Sequence, residues 1–407
     1  MKCRFCGTEL KDVFIDMINS PASNSFLTFE QLNEPEIFYP LKVYTCPECL
    51  LVQIDEYKKS NEIFSNDYVY YSSYSKSWLE HSKRYVENMM NRFSFDQSSL
   101  IIEIASNDGY LLQYFQEKEI PVLGVEPTMN TAEVARKKGI ESINAFFGVK
   151  LAEEMVKKGI KADLLIGNNV LPHVPDIVDF VKGMKKILKE NGIITMEFPH
   201  LMNLVDNNLF DTIYHEHFSY LSFTTTKRIF ESQGLEMFDV EELPTHGGSL
   251  RIYAKHSGNR RQVSFSVNTL LQKEKDHGMN LMPYYKGFQE KALKAKMDLI
   301  EFLIDCKREG KKVAAYGAAA KGNTILNYCG IKSDLIQFVV DANPFKQNKY
   351  LPASHIPVKN ESYLKVQKPD IILILPWNLK DEICAQLKYI REWNGKFAIA
   401  IPELQIF

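Results

Sequence analysis

Four consecutive residues, Tyr214, His215, Glu216 and His217, place a phenol, two imidazoles and a carboxylate together in a chain of 407 residues with nine histidines. Side chains of these types transfer protons near neutral pH or bind metal ions, and they also occur in ordinary polar loops. The H-E-x-x-H spacing of a metalloprotease helix is absent. If the segment is extended, the two histidines point to one side and Tyr214 and Glu216 to the other. The four residues alone leave a metal site, an acid–base site and a polar loop open.

Two Cys-x-x-Cys pairs near the N-terminus offer a second kind of chemistry. Their sequences, CRFCG and CPEC, each have a glycine or a proline beside the thiols, which helps the backbone to turn around a bound ion. Four thiolates satisfy tetrahedral Zn²⁺ and leave no position open for water or a substrate. A redox pair and a chance arrangement of cysteines are the alternatives. The predicted ligands of this structural zinc site are Cys3, Cys6, Cys46 and Cys49.

The elements that must position these groups follow from an alternation of apolar and amphipathic segments. From about residue 75 to 240, short apolar strands such as SLIIEIAS alternate with helix-forming segments, which is typical of βαβ units and a parallel sheet. A helical stretch follows over about 267–309, and apolar strands resume in KKVAAYG and DIILILPW. The sequence predicts an α/β protein with a zinc module at 1–74, a doubly wound domain at 75–258, and a helical connector with a smaller Rossmann-like unit at 259–407.

The doubly wound domain carries a nucleotide-binding pattern at the ends of its strands. Glu103 lies in the first strand, and Glu126 ends the second strand, where ribose hydroxyls bind. A G-x-G-x-x-G fingerprint is absent, so a ligand without a pyrophosphate is favoured over a dinucleotide, and a structural turn stays open. The pattern resembles the S-adenosylmethionine (SAM) motifs of class I methyltransferases. The predicted cofactor contacts are Glu103, Ala105, Asn107, Gly109, Glu126, Pro127, Asn168 and Asn169.

If a methyl donor binds beside the Tyr-His-Glu-His segment, the proton-transferring groups of that segment suit C-methylation. Carbon is a poor nucleophile unless an adjacent carbonyl accepts charge as an enolate, so C-methylation needs a base and a donor to the enolate oxygen. Imidazole, with an ordinary pKa of ~6.5, is a suitable base. His173 follows within one turn of the strand that ends in Asn168 and Asn169, which predicts that it faces the same cleft.

Longer motifs resemble those of a known family along essentially the whole chain. They include SSYSKSWLEHS, EIASNDGYLLQYF, NNVLPHVPD, YHEHFSYLS, HGGSLR, GAAAKGNTILNYCG and LPWNLKDEI, in the order of the family. The chain is thereby similar to the bacterial SAM-dependent sugar C-methyltransferases, which include enzymes for tetronitrose, noviose and mycarose. The resemblance implies a zinc-binding domain, a SAM-binding domain and a C-terminal Rossmann-like domain. It also implies C3 methylation of a nucleotide-linked 4-keto deoxysugar, usually carried on dTDP.

The resemblance also implies roles for individual residues. His217 is the implied base that removes the C3 proton. Pro172 departs from the small residue that the family often has before His173, and a proline there restricts the residue before it, which can move the imidazole of His173. The other implied catalytic residues, which shape the site and stabilise the C4 enolate, are Tyr214, Glu216 and His173.

The C-terminal unit predicts where the sugar nucleotide binds. Lys321 opens a helix after the strand KKVAAYG, and helix N-terminal amides together with a lysine suit a diphosphate. The loop lacks G-x-G-x-x-G, which disfavours NAD. The tyrosine-rich segment around Tyr71 either lines the sugar pocket or packs between domains. The predicted substrate contacts are Tyr68, Tyr71, Lys321, Asn323, Trp377 and Asn378.

Composition limits the remaining partners. A formal net charge of −2 gives no basic footprint for nucleic acid. No apolar segment approaches the ~18–20 residues that cross a bilayer, and the N-terminus lacks a signal-peptide core, so we expect a cytoplasmic protein without a membrane partner. Two rival functions stay open: a SAM-dependent O- or N-methyltransferase of a sugar nucleotide, and an NAD-dependent sugar-nucleotide reductase. The sequence leaves the oligomeric state open.

Overall fold

A computed structural model describes residues 1–64 and 71–407. In these residues the strands are β1 (Asp12–Ser20), β2 (Tyr39–Thr45), β3 (Val52–Ile54), β4 (Ile101–Ile104), β5 (Val122–Val125), β6 (Ser142–Ile143), β7 (Ala162–Asn168), β8 (Leu188–Pro199), β9 (Ser219–Tyr220), β10 (Leu235–Leu243), β11 (Ser249–His256), β12 (Val313–Tyr316), β13 (Val339–Val340), β14 (Val358–Lys359), β15 (Ile371–Ile374), β16 (Lys396–Ile399) and β17 (Gln405–Ile406). The α-helices are α1 (Ser60–Ile63), α2 (Lys76–Phe93), α3 (Leu112–Gln116), α4 (Met129–Lys137), α5 (Val149–Lys157), α6 (Ile177–Ile187), α7 (Leu201–Asp206), α8 (Phe223–Ser232), α9 (Phe265–Asp276), α10 (Phe288–Arg308), α11 (Ala320–Cys329), α12 (Tyr363–Gln367) and α13 (Lys380–Gln386).

The N-terminal sheet is antiparallel and has the strand order β1-β2-β3-β9. Along β2, buried Leu41 and Val43 alternate with half-exposed residues, as expected for a strand with one face on the core. Its last strand, β9, comes from far along the chain, and Tyr220 of β9 pairs with Val52 of β3. The residues that directly follow the Tyr-His-Glu-His segment are therefore hydrogen-bonded into the N-terminal sheet.

The central sheet has the strand order β10-β11-β8-β7-β4-β5-β6. The strands from β4 to β8 are parallel, and β11 lies antiparallel between β8 and β10. Because α5, α6 and α8 cover one face and α2 and α3 the other, the apolar strand β4 is buried along its whole length. This arrangement confirms the predicted class I SAM methyltransferase fold. Its ligand crevice lies at the carboxyl ends of β4 and β7, where the strand order reverses.

The C-terminal sheet has the strand order β14-β13-β12-β15-β16-β17, with β17 antiparallel at one edge. It forms the smaller Rossmann-like unit that the sequence predicts. The predicted connector consists of two helices with different partners. Helix α9 packs on the central sheet, whereas α10 packs against β1 and α11. The segment therefore connects two cores and belongs to both.

One apolar core joins the N-terminal sheet to the C-terminal unit. Phe14 of β1 stacks on Phe288 of α10 with the ring centroids 4.7 Å apart. Beside this pair, the backbone amide of Asp16 donates to the side-chain oxygen of Gln289 at 2.7 Å. The zinc module is thus fixed to the C-terminal unit. Among the helices in the described ranges, none has both the length and the apolar character that crossing a membrane requires.

Candidate active site

A cavity of about 500 Å³ lies at the carboxyl edge of the central sheet. All three parts of the chain contribute to its wall. Asn24 comes from the N-terminal part, the residues after β4, β5 and β7 come from the central sheet, and Lys321 comes from the first turn of α11. Open α/β sheets bind their ligands in this place, outside the strands at which the order reverses. The cavity is therefore the candidate active site.

The cofactor side of the cavity is formed by the ends of the parallel strands. Glu126 follows β5, and its carboxylate accepts the backbone amides of Asn107 and Thr128 at 2.9 and 2.8 Å. Glu126 thereby joins the turns after β4 and β5, and burial raises the pKa of its carboxyl group. The predicted cofactor contacts that line the cavity are Ala105, Asn107, Glu126, Pro127, Asn168 and Asn169.

The hydrogen bonding of Asn168, at the end of β7, indicates whether the site fits a polar cofactor. It is 8% exposed, and neither its amide nitrogen nor its amide oxygen has a hydrogen-bond partner within the described residues. A buried polar group without a partner costs about 1–3 kcal/mol, which a ligand removes when it supplies the missing hydrogen bonds. The residues present therefore fit the hydroxyl and amino-acid groups of SAM.

Two predicted cofactor contacts, Glu103 and Gly109, do not line the cavity. Glu103 is fully buried inside β4, and this burial raises the pKa of its carboxyl group well above the ordinary range. Gly109 has a φ of +75°, and a Cβ there would stand 2.5 Å from Cδ1 of Ile140. The turn and its packing on Ile140 require the glycine.

One ring nitrogen of His217 carries a proton and donates a hydrogen bond, and the other has a lone pair that can accept one. Its Nδ1 lies 2.8 Å from the carbonyl oxygen of Thr212, which can only accept, so Nδ1 carries the proton. Nε2 then accepts from the Tyr214 hydroxyl at 3.0 Å. Burial, with the nearby His173 second, lowers the pKa of His217 well below its ordinary value. The imidazole is therefore neutral at physiological pH, with its basic nitrogen beside Tyr214.

The backbone of the Tyr-His-Glu-His segment is a turn, so the condition of an extended segment, under which the two histidines would point to one side, is not met. The amide of His217 donates to the carbonyl oxygen of Tyr214 at 2.9 Å, which brings Tyr214, Glu216 and His217 to the cavity together. His215 points away, where its Nε2 lies 3.2 Å from the carbonyl oxygen of Pro40. The structure thus places His215 in the packing of the N-terminal sheet.

Glu216 and His173 complete the group of titratable side chains at this end of the cavity. Burial raises the pKa of Glu216 to about 7, and its Oε1 accepts from the Asn24 amide at 2.6 Å. His173 lies with its ring centroid 4.6 Å from that of His217, and burial lowers its pKa to about 4. Pro172 does not remove His173 from the cavity, because the proline fits the first turn of a short 3-10 helix.

Four of the predicted substrate contacts lie in the C-terminal unit, where their surroundings differ. Lys321 lines the cavity, with its Nζ donating to Asn378 at 2.8 Å and lying 4.8 Å from the ring centroid of Trp377. Asn378 and Trp377 hold this lysine and do not line the cavity themselves. Asn323 is buried and donates to the carbonyl oxygen of Ser23 at 2.6 Å.

Of the two predicted tyrosines, the structure describes Tyr71. Tyr71 stacks on Phe345 with the ring centroids 5.7 Å apart, and its hydroxyl accepts from Asn130 at 3.2 Å. It is not among the lining residues. Tyr68 lies outside the described residues.

The structure adds cavity residues that the sequence did not single out, above all His246 and Trp78. His246 belongs to the motif HGGSLR, and the ring of Trp78 lies 5.3 Å from its ring, centroid to centroid. Lys346 also lines the cavity, and its Nζ donates to the carbonyl oxygen of Ala318 at 2.8 Å. The two glycines after His246 were the available signal, because they indicate a backbone held in an unusual conformation.

The two cysteine pairs meet at one point of the N-terminal module. Their four Sγ atoms all lie within 4.8 Å of one another, and Cys3 Sγ and Cys49 Sγ are 3.5 Å apart. Four sulfurs around a tetrahedral zinc, each at ~2.3 Å from the metal, are separated by similar distances. The side-chain nitrogen of Gln53 also lies 3.2 Å from Cys3 Sγ, as a donor to a thiolate would. This donor set fits Zn²⁺, which would be held by all four cysteines.

Family models match successive parts of the chain. The model described as "Putative zinc binding domain" matches residues 3–64. The model described as "Methyltransferase domain" matches residues 78–240, and the one described as "C-methyltransferase C-terminal domain" matches residues 244–402.

Known proteins resemble the chain over different lengths. The C-methyltransferase NovU of Streptomyces niveus is 32% identical over 408 aligned positions, which cover 100% of this chain and 96% of NovU. A ubiquinone biosynthesis O-methyltransferase of Bartonella quintana is 27% identical over 95 residues, 23% of this chain and 38% of that protein. Among solved structures, a SAM-dependent methyltransferase from Clostridium acetobutylicum superposes with a TM-score of 0.37 at 12% identity, over 44% of this chain and 92% of its own.

Proposed function

Because this chain belongs to the bacterial SAM-dependent C-methyltransferases, we propose that it methylates C3 of a nucleotide-linked 4-keto deoxysugar. The enzyme class follows from full-length similarity to NovU and from the methyltransferase fold. The sugar substrate is supported by the motifs that resemble the sugar C-methyltransferases. SAM, when bound, supplies an electrophilic methyl group to the substrate carbon.

The observation that carries the mechanism is the fixed tautomer of His217. The Thr212 carbonyl holds the proton on Nδ1, so Nε2 has its lone pair available in the cavity. In the proposed step Nε2 takes the C3 proton, the C–H electrons form a C=C bond, and the carbonyl electrons move to O4. Because burial keeps the ring neutral, the base does not first have to lose a proton.

Tyr214 and Glu216 have supporting roles in this proposal. The Tyr214 hydroxyl donates to Nε2 of His217 at 3.0 Å, so it occupies the place that the substrate proton must take. It therefore orients the ring and gives way when substrate binds. Glu216, with a pKa of about 7 caused by burial, provides a carboxyl group that is protonated in part at neutral pH and can donate to a sugar oxygen.

The substrate end of the cavity is positively charged. Lys321 and Lys346 line it, and Lys321 lies in the first turn of α11, where backbone amides favour an anion. We assign the diphosphate of the sugar nucleotide to these lysines, with dTDP as the carrier that the resemblance implies. The cysteine cluster, on the N-terminal module, is proposed as a structural Zn²⁺ site because four thiolates leave no position for a substrate.

The test is incubation with SAM and a panel of 4-keto-6-deoxysugar nucleotides, read by mass spectrometry as the gain of one CH₂ unit. Incubation in D₂O adds the exchange of the C3 proton. We expect His217→Asn to lower kcat by about 10²–10⁴-fold and to slow the exchange with it, because the base is lost.

His215→Asn is the matched control, because it makes the same substitution two residues away at a side chain that points out of the cavity. It should retain methylation. An unchanged rate in His217→Asn would show that another group is the base. A wild-type protein that methylates no member of the panel would contradict the sugar substrate.

A further inference from the structure

His246 and Asn169 form a hydrogen-bonded pair on the wall of the cavity, although they lie 77 positions apart in the sequence. Asn169 follows β7, and His246 lies in the turn between β10 and β11. The amide nitrogen of Asn169 lies 3.0 Å from Nε2 of His246. An amide nitrogen has no lone pair to offer, so Asn169 donates and His246 accepts. The proton of a neutral His246 is therefore on Nδ1.

Both residues of the pair are held in backbone conformations that ordinary side chains rarely adopt. His246 has φ 55° and ψ 24°, and Asn169 has φ 54°. Left-handed conformations at residues other than glycine cost about 1–3 kcal/mol and persist where the surroundings enforce them, often at functional sites. Here the surroundings do so. The amide of Asn169 donates to the carbonyl oxygen of Glu197 at 2.7 Å, and a Cβ at Gly247 would stand 2.5 Å from Trp377.

The ring of His246 also contacts Trp78 of α2, with the ring centroids 5.3 Å apart and the planes tilted by 54°. Trp78 is itself stacked on the ring of His81 at 4.9 Å and on that of Tyr110 at 6.1 Å. Burial, and then the charge of Lys321, lower the pKa of His246 to about 4. The imidazole consequently stays neutral near pH 7, and it is oriented by the contact with Trp78 and by the hydrogen bond at Nε2.

The pair leaves one donor and one acceptor for a ligand. Nδ1–H of His246 has no hydrogen-bond partner among residues 1–64 and 71–407, and Oδ1 of Asn169 is buried without one. Both residues line the same cavity as His217. A neutral imidazole N–H is a suitable donor to an oxygen on which negative charge develops, since it adds no charge to the ground state.

We propose that His246 is a catalytic residue whose Nδ1–H donates to the oxyanion of the enolate, with Asn169 fixing its tautomer. This inference rests on the proposed removal of a proton from carbon by His217. As His217 Nε2 takes the proton, the electron pair of the C–H bond becomes the C=C bond, and the carbonyl π electrons move to oxygen. The hydrogen bond from Nδ1–H strengthens as that oxygen becomes anionic.

The test compares substitutions that tolerate the left-handed backbone. In His246→Asn, the amide nitrogen stands two bonds beyond Cβ, as Nδ1 does, so a donor is kept. His246→Asp places an oxygen there, and His246→Gly leaves no side chain. Asparagine, aspartate and glycine all accept positive φ more readily than other residues. We expect His246→Asn to stay within about tenfold of wild-type kcat, and the other two to lose about 10²–10³-fold.

The D₂O exchange rate of the substrate's α-proton should fall in parallel with kcat, while the affinity for SAM stays unchanged. If His246 had a purely structural role, His246→Gly would have a lower melting temperature, but its α-proton exchange rate would equal that of His246→Asn. If the folded His246→Gly and His246→Asp variants keep kcat within threefold of His246→Asn, the assignment is wrong.

A second measurement needs no substrate and so separates this inference from the proposed function. Nitrogen-15 NMR of the wild-type protein at pH 7, with His246 identified by its absence in His246→Asn, should show a protonated Nδ1 and an unprotonated Nε2. A proton on Nε2 would overturn the proposal even if sugar methylation is found. A correct tautomer in a protein that methylates no sugar nucleotide would leave His246 as the donor and reject only the sugar.

Discussion

At the scale of single residues, the cavity keeps several titratable groups uncharged by burying them. Burial raises the pKa of Glu216 to about 7 and lowers the pKa of both His173 and His246 to about 4. Neutral groups can donate or accept hydrogen bonds without repelling a charged ligand. The positive charge of the site is therefore concentrated at Lys321 and Lys346, where an anionic group of the substrate is proposed to bind.

The raised pKa of Glu216 predicts how stability depends on pH. Because the folded pKa, about 7, exceeds the ordinary value of 4.5, the folded state favours the protonated form. Stability is then unaffected below about pH 4.5, decreases as the pH rises towards 7, and stays reduced above it. Glu216→Gln should remove this decrease. Relative to wild type, its free energy of unfolding should rise by on the order of 3 kcal/mol between pH 4.5 and 8.

Urea denaturation at several pH values measures this difference. Glu133→Gln, an exposed position on α4, is the matched control and should follow the wild-type curve. If Glu216→Gln also follows that curve, the carboxyl group of Glu216 does not have a raised pKa.

The limits of sequence reasoning are visible at these residues. Asn168 and Asn169 were predictable at the cavity, because a βαβ pattern fixes where strand ends meet. The Asn24–Glu216 contact joins residues 192 positions apart, and the Asn169–His246 contact joins residues 77 apart, so no local pattern indicates either one. The orientation of His215 depended on a turn that residue types alone do not distinguish from an extended segment.

At the scale of elements, the Tyr-His-Glu-His turn is held by the C-terminal unit. The short 3-10 helix Phe210–Thr212 precedes the Tyr-His-Glu-His segment. Nε1 of Trp377 donates to Oδ2 of Asp211 at 2.7 Å, and the hydroxyl of Thr324, on α11, donates to the carbonyl oxygen of Ile213 at 3.0 Å. These contacts fix the Thr212 carbonyl that sets the tautomer of His217. The C-terminal unit thereby positions the proposed base as well as Lys321.

The hydrogen bond from Trp377 to Asp211 predicts an effect of Trp377→Phe on catalysis. The variant keeps an aromatic ring but removes the donor to the buried Asp211, whose pKa burial raises to about 6. Losing a hydrogen bond to such a group costs ~2 kcal/mol, and we expect kcat to fall about tenfold or more while the SAM affinity is unchanged.

Steady-state kinetics and calorimetric titration with SAM check this expectation. Trp393→Phe is the matched control, because Nε1 of Trp393 also donates a hydrogen bond, to Pro369, in the same unit but away from the cavity. Equal kcat values for the two variants would show that the hydrogen bond from Trp377 to Asp211 does not position the turn for catalysis.

At the scale of the whole molecule, the cysteine cluster is connected to the cavity through Arg4. This residue lies between Cys3 and Cys6, and its Nη1 donates to the carbonyl oxygen of Pro175 at 2.6 Å, two residues after His173. Its guanidinium group lies 5.4 Å from the ring centroid of Phe218, directly after His217. A metal that fixes the cysteines therefore also fixes both histidine-bearing loops.

We therefore predict that zinc removal affects stability and catalysis together. Elemental analysis should find one zinc per chain, and Cys46→Ala should abolish it and lower the melting temperature by about 5 °C or more. Activity should fall as well, because Arg4, which contacts both histidine-bearing loops, is no longer held between fixed cysteines. Cys384→Ala, a cysteine outside the cluster, should retain the metal. Full zinc content in Cys46→Ala would contradict the four-cysteine site.

The strand β9 has a consequence for recombination between homologous enzymes. A crossover after residue 64 would transplant β1, β2 and β3 while leaving β9, which completes their sheet, in the recipient. In such a chimera the recipient's Phe218–Tyr220 would have to pair with a strand edge from the other enzyme, directly beside the proposed base His217. The segments that must be exchanged together are therefore not contiguous in the sequence. We expect a chimera to fold only if residues 1–64 and the stretch around 210–222 come from the same parent enzyme.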